Sequence, residues 1–244
     1  MKNKSKIIII TAAVMAAIVM ILCCLLYFGF IHINNPELKG LTVRGVDVSS
    51  YQGEIDWPQL SSQDIEFAYI KATEGSSYQD PYFSQNWQDA SGTDIRIGAY
   101  HFFSFESGGD TQAQNFIDIV EPVDNMLPPV IDVEYYGSFG SAETIDVNAI
   151  RNELRIMVDL LTEEYGMKPV IYVSADTYTT IVQGSFDDCG LWHRSVYSSV
   201  PDDVDWVFWQ YSNRHRLQGY NGEESFIDMN VFNGSEDEFN AFPG

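Results

Sequence analysis

The 244-residue chain sets 35 acidic side chains against 13 basic ones, a formal net charge of −22. Lys2, Lys4 and Lys6 precede the first acid, Glu37, so the part beyond the N-terminal apolar run keeps ten bases against all 35 acids, a balance of −25. A domain this anionic repels nucleic acid and anionic surfaces at long range, which argues against DNA or RNA as a partner.

Ile7 to Ile31 carry no charge. At about 1.5 Å rise per residue, such a run spans a bilayer with some tilt. The positive-inside rule keeps residues 1–6 in the cytoplasm and puts the following domain outside the cell. A cleaved signal peptide is the rival reading. Its apolar region is usually shorter, roughly 7–15 residues. Tyr27-Phe28-Gly29-Phe30 also reads better as an aromatic interfacial anchor than as a cleavage site. An uncleaved anchor over 7–31 is therefore expected, then a short linker over 32–41 and one domain over 42–244. Cys23 and Cys24 fall inside the apolar run. Cys189 stands alone in the domain, so no disulfide can form within it. With His193 four residues on, Cys189 is a weak zinc signal.

Strand-like and helix-like stretches alternate from Thr42 onward. Val43 to Ser49 reads as a strand, followed by a helical turn near Trp57-Pro58. Ile65 to Thr73 is the second strand. Asp80 is the expected N-cap of a helix with Pro81 at its first position. Ile95 to Phe103 is the third strand, and Asp110 is expected to cap a helix reaching about Val120. The fourth strand lies in Leu127–Gly137, where Val130, Ile131 and Val133 supply the β-branched residues that strands prefer. Val147 to Tyr165 is the strongest helix: Ile150, Leu154, Met157, Val158 and Leu161 share one face, with Gly166 as C-cap. Pro169 to Ser174 is the fifth strand. Ser195–Val200, Asp205–Ser212 and Ser225–Phe232 read as strands six to eight, joined by loops. Alternation of strand and helix predicts a parallel sheet. Eight strands in this length predict a closed single-domain barrel that has lost most helices in its last third.

Two carboxylates, Asp132 and Glu134, interrupt the apolar fourth strand near its end. Strand side chains alternate faces, so both point the same way, roughly 6–7 Å apart at the backbone. Burying two like charges together is costly. Such a pair suits acid/base work on a glycosidic bond; a salt-bridged or metal-binding pair is the other reading. Barrel active sites sit at the C-terminal ends of the strands. Polar residues fall there repeatedly: Asp47; Lys71, Thr73 and Glu74; Tyr100 and His101; Tyr172 and Ser174; Trp209, Gln210 and Tyr211. Asp228 and Asn230 lie in the last strand. Carboxylates converging with Tyr and Trp have the composition of a sugar site. His101 alone could equally be a satisfied core histidine, and Glu74 could simply pair with Lys71 or Arg96.

The same residues carry a resemblance. Gly45-Val46-Asp47-Val48-Ser49-Ser50-Tyr51-Gln52-Gly53 with Ile55-Asp56-Trp57 resembles the opening of the family 25 glycoside hydrolases, the lysozyme-type N-acetylmuramidases. Lys71-Ala72-Thr73-Glu74-Gly75, Gly98-Ala99-Tyr100-His101-Phe102 and Asp132-Val133-Glu134 are similar to the family's next signatures. Trp209-Gln210-Tyr211 and Ile227-Asp228-Met229-Asn230 fit its closing motifs. The resemblance runs in order from about Val43 to Phe242. It implies an α/β fold, a modified TIM-like (β/α)5(β)3 barrel. It also implies hydrolysis of the β-1,4 bond between N-acetylmuramic acid and N-acetylglucosamine in peptidoglycan, with no metal or other cofactor. It makes Glu134 the general acid. Asp132 would assist the substrate's own N-acetyl group or stabilise the developing charge. Asp47 and Asp228 would hold Asp132 or set the pKa values around the pair. Tyr100, His101, Glu74, Tyr172, Trp209 and Gln210 would line the sugar groove. Two features depart from the family's pattern: a polar sixth strand over Leu191–Tyr197, and strong acidity in an enzyme for an anionic wall. Membrane tethering could substitute for electrostatic attraction. A monomer is expected.

Overall fold

A computed structural model describes residues 2–31 and 36–243. Helix α1 (Lys2–Tyr27) contains a span, Lys4–Tyr27, long and apolar enough to cross a membrane. Part of the expected linker, residues 32–35, lies outside the described residues.

The rest is one barrel. Its strands are β1 (Arg44–Val48), β2 (Phe67–Glu74), a two-residue β3 (Tyr78–Gln79), β4 (Arg96–Phe102), β5 (Val130–Val133), β6 (Val170–Ser174), β7 (Gly190–Arg194), β8 (Phe208–His215) and β9 (Ile227–Phe232). The sheet runs β1-β9-β8-β7-β6-β5-β4-β2-β3, and a β1–β2 pairing closes it. β3 only folds back on the end of β2 and leaves eight strands in the ring. Helices α2 (Trp57–Ser61), α3 (Phe83–Ser91), α4 (Gly109–Ile117) and α5 (Val147–Tyr165) follow the first strands. Short turns at α6 (Ala175–Thr177) and Tyr178–Val182 follow β6, and α7 (Glu236–Asn240) follows β9.

Apart from β3, which is antiparallel to β2, β1 to β8 pair in parallel, but β9 is antiparallel to both β1 and β8. The expectation of a wholly parallel sheet fails there for a simple reason. A parallel return needs a crossover of about a dozen residues or more, usually through a helix. The β8–β9 connection has no helix, so the chain turns straight back.

Three predicted boundaries also shift. The sixth strand is Gly190–Arg194, earlier than Ser195–Val200 and shorter than Leu191–Tyr197. Asp80 does not cap α3, which begins at Phe83; its carboxylate instead accepts from the Ser50 and Tyr82 amides, at 2.9 Å each, and ties two turns together. Gly108, not Asp110, is the N-cap of α4, which ends at Ile117. Gly109 is in van der Waals reach of the α5 backbone at Glu153, leaving no room for a side chain. Helix α5 runs Val147–Tyr165 with Gly166 in the left-handed conformation that lets it turn off.

Two layers of core follow from strand alternation. Outward-facing residues such as Val46, Ile70, Ile131 and Val173 pack under the helices. Inward-facing Phe67, Tyr69, Val130, Val170, Trp192, Phe208 and Phe232 fill the barrel with Phe239 of α7. Such large interior rings need space, and Gly45 and Gly98 provide it. A Cβ at either would lie about 2.4 Å from the rings of Phe67 or Tyr69. The buried Tyr69 hydroxyl donates to the Pro128 carbonyl at 3.2 Å.

Candidate active site

At the rim where the parallel strands end, the barrel opens into a pocket of about 650 Å³. Asp47, Glu74, Tyr100, Asp132, Glu134, Tyr172, Gln210 and Asp228 line it. Eight of the ten predicted site residues thus meet in one place, drawn from seven strands and the segment just after β5. His101 and Trp209 do not reach it. Both sit on the outer face, one residue out of phase with the groove. His101 pairs with Ile131, whereas its neighbour Phe102 pairs with Asp132. Trp209 pairs with Val231, whereas Gln210 pairs with Asn230.

Each outer-face residue has its polar atoms engaged. His101 is fully buried, with Nε2 3.0 Å from Gln112 Oε1 and Nδ1 2.6 Å from Thr73 Oγ1. The amide oxygen of Gln112 can only accept, so Nε2 carries the proton and Nδ1 accepts from the hydroxyl. Burial pushes the His101 pKa down to about 4, so the ring is neutral. The Trp209 indole donates to the Ser195 carbonyl at 2.8 Å and packs edge-on against Trp206.

Inside the pocket, Asp47 and Asp228 are direct partners across the antiparallel β1–β9 ladder. Like charges set opposite one another repel. Burial and the Asp47 charge hold Asp228 well above the usual carboxylate range. Asp47 is raised less, because Asn230 and Gln210 donate to its Oδ2 at 2.8 and 3.0 Å. Burial and mutual repulsion thus raise the two carboxyls together, and the pair holds a proton more tightly than a lone carboxylate would. Gln210 also donates to Asp228 Oδ2 at 3.2 Å and accepts from the Tyr172 hydroxyl at 2.9 Å. Asn230 in turn accepts from the Trp192 indole at 2.9 Å. None of these bonds goes to Asp132; Asp47 and Asp228 hold each other.

Asp132 is 9% exposed, and its Oδ1 has no hydrogen-bond partner. Burial and the neighbouring Glu134 charge push its carboxyl well above the ordinary range, with Lys71 opposing. Glu134 is raised by burial, and Arg194 opposes. Lys71 and Glu74, three apart, would face opposite ways on a regular strand. A bulge in β2 between Lys71 and Thr73 brings both to the inner face, and they pair at 2.7 Å.

Sequence reading missed Tyr51, Trp192, Arg194, Arg214 and Phe226, all of which line the pocket. The alternation Trp192-His193-Arg194 carried the signal for two of them, obscured by placing the sixth strand too late. The other three come from connecting loops or the irregular end of β8.

A closed β/α barrel with two elevated carboxyls two residues apart at the end of one strand, ringed by aromatic and amide side chains, defines a glycoside hydrolase. Residues 46–220 match the family model described as glycosyl hydrolases family 25. The structure is similar to that of a family 25 glycosyl hydrolase from Bacillus anthracis, at 44% identity and a TM-score of 0.80 over 87% of this chain and 98% of that one. The protein YegX of Escherichia coli O157:H7, itself uncharacterized, is 37% identical over 208 residues, 82% of this chain and 73% of that protein. Lysozyme M1 of Streptomyces globisporus is 34% identical over 205 residues, 79% of this chain and 68% of that enzyme. The chain belongs to glycosyl hydrolase family 25.

Proposed function

We propose that this chain is an N-acetylmuramidase, a lysozyme that cleaves the β-1,4 bond between N-acetylmuramic acid and N-acetylglucosamine in peptidoglycan. The observation that carries the roles is the state of Asp132. Asp132 lines the pocket with its buried Oδ1 unpartnered, beside a second raised carboxyl on Glu134. An N-acetyl group bound at the cleaved sugar offers an N–H to the Asp132 carboxylate. A donor to the carboxylate favours its ionised form, so binding leaves the pair's proton to Glu134.

Glu134 then gives that proton to the leaving glycosidic oxygen. The substrate's acetamido oxygen attacks the anomeric carbon as the bond breaks, and Asp132 accepts the N–H of the ring that forms. Water next attacks the anomeric carbon, its proton returns to Glu134, and the acetamido group is released. The Asp47–Asp228 pair, fixed by Gln210 and Asn230, holds the pocket's remaining negative charge in place. Tyr100, Tyr172 and Glu74 contact the sugars.

Mass spectrometry of fragments released from purified peptidoglycan tests the reading. Muramic acid at the reducing ends is the expected result. Reducing-end glucosamine, or binding without release, would overturn it.

The span Lys4–Tyr27 supports a single-pass anchor with the barrel outside the cell, divided as residues 1–6, 7–31, 32–41 and 42–244. The barrel acts as a monomer on glycan strands near the membrane. N-terminal sequencing of the membrane-fraction protein should return the uncleaved start; a mature form beginning after residue 31 would make the span a signal peptide.

A further inference from the structure

The geometry points to Arg194 as the residue that sets specificity, by receiving a carboxylate carried on the muramyl substituent; this rests on the muramidase reading above. Three cations line the pocket: Lys71, Arg194 and Arg214. Two are already occupied. Lys71 pairs with Glu74 at 2.7 Å and lies over the Phe102 ring. Arg214 stacks on Phe226 at 4.3 Å.

Arg194 differs. It ends β7 directly beside Gln210, so its side chain shares the inner face. Its charge is felt by Asp47, Glu134 and Asp228. Yet among the described residues its guanidinium enters no ion pair and no side-chain hydrogen bond. A residue kept only to neutralise a carboxylate would close on one of these three. Instead a planar fork of five donors stands unspent beside the acid catalyst, in a shape that matches a carboxylate in two-pronged contact.

The substrate supplies such a group. Muramic acid is glucosamine with a lactyl ether at O3; N-acetylglucosamine polymers are neutral. In a domain whose balance is −25, an anionic substituent is repelled everywhere except where a cation is held for it. The carboxylate has two sources: the lactyl group itself on strands stripped of peptide, or the peptide stem amide-linked to that lactyl group.

The test uses the full chain in detergent with Glu134→Gln to stop turnover, and calorimetry with three ligands. These are a tetrasaccharide of alternating N-acetylglucosamine and peptide-free muramic acid, the same tetrasaccharide bearing stem peptides, and N-acetylglucosamine tetramer. Adding Arg194→Gln should weaken one anionic ligand roughly tenfold or more and leave the neutral tetramer within about twofold. Which anionic ligand suffers identifies the carboxylate. Arg194→Lys should recover part of the loss. Equal loss on all three ligands, or none on either anionic one, overturns the inference. If the unmodified enzyme releases reducing-end muramic acid while Arg194→Gln binds normally, only this inference falls and the muramidase reading stands.

Discussion

Glu134→Gln removes a proton and a charge while keeping the shape, and it should move activity and stability in opposite directions. Loss of a general acid slows the reaction by about 10²–10⁴, or roughly 3–5 kcal/mol of barrier. The stability change follows from the site. Asp132 and Glu134 are two strand rises apart, about 6.5 Å. At an effective dielectric near 20, two full charges at that separation repel by about 2.5 kcal/mol. The pair does not carry both charges fully, so removing one should return about 1–2 kcal/mol at neutral pH. For a domain of this size each kcal/mol moves Tm by about 2–4 °C. The sign with pH follows from linkage. Glu134's pKa is raised in the folded state, so the native protein binds more protons than the unfolded chain between the ordinary glutamate value and the raised folded one. Wild-type stability therefore falls as pH climbs through that window. Below it both states are protonated and the penalty is absent. Calorimetry should find the Gln variant melting about 2–8 °C higher at pH 7 and level with wild type near pH 4. A Tm lowered at pH 7, a gain that persists undiminished at pH 4, or turnover above about a tenth of wild type would refute the reasoning.

Trp209→Phe keeps the ring packing but orphans the Ser195 carbonyl, so it should cost about 1–3 kcal/mol with KM on glycan fragments unchanged. A raised KM at unchanged Tm would return this residue to the groove. His101→Ala empties a buried site and unpairs Thr73 and Gln112, for a loss of about 2–5 kcal/mol in urea titration; a loss below about 1 kcal/mol would contradict the bonding described. Arg96 donates to the carbonyls of Phe239, Phe242 and Pro243 and lies over the Phe239 ring at 5.0 Å. Arg96→Ala should cost about 2–4 kcal/mol and expose the C-terminal segment to limited proteolysis. Unchanged proteolysis would deny it that clasp.

The sequence made much of this visible where one physical rule acted alone. Helix α5 was legible to the residue because its apolar face and its Gly166 terminator agree, and the structure adds Asp146 as its N-cap. Asp132 and Glu134 stood out because carboxylates interrupt an otherwise apolar strand. Where two rules met, reading failed. His101 and Trp209 are polar-tipped residues at strand ends, as the groove lining is, but face parity assigns them to the other side of the sheet. Parity in turn fails at β2, where a bulge carries Lys71 and Glu74 onto one face. No residue between them announces the bulge. Trp192 and Arg194 were hidden by a late boundary: Ser195–Val200 is as strand-like in composition as Gly190–Arg194, and only pairing with β6 and β8 decides between them.

The reversal of β9 explains why Asp228 belongs to the site at all. Barrel chemistry gathers where parallel strands end. A parallel ninth strand would have delivered Asp228, near its start, to the opposite rim. Because the β8–β9 connection carries no helix, β9 runs downward and its beginning joins the ends of the others, setting Asp228 directly against Asp47. That apposition would be untenable as two bare charges. Gln210 bridges both acids, Asn230 donates to Asp47, and Tyr172 and Trp192 fix those amides from the far side. Losing a helix late in the chain thus converts what would be a distant aspartate into one that lines the same pocket as Asp132 and Glu134. The amides that make this possible lie on the same two strands, β8 and β9, whose antiparallel pairing created the problem.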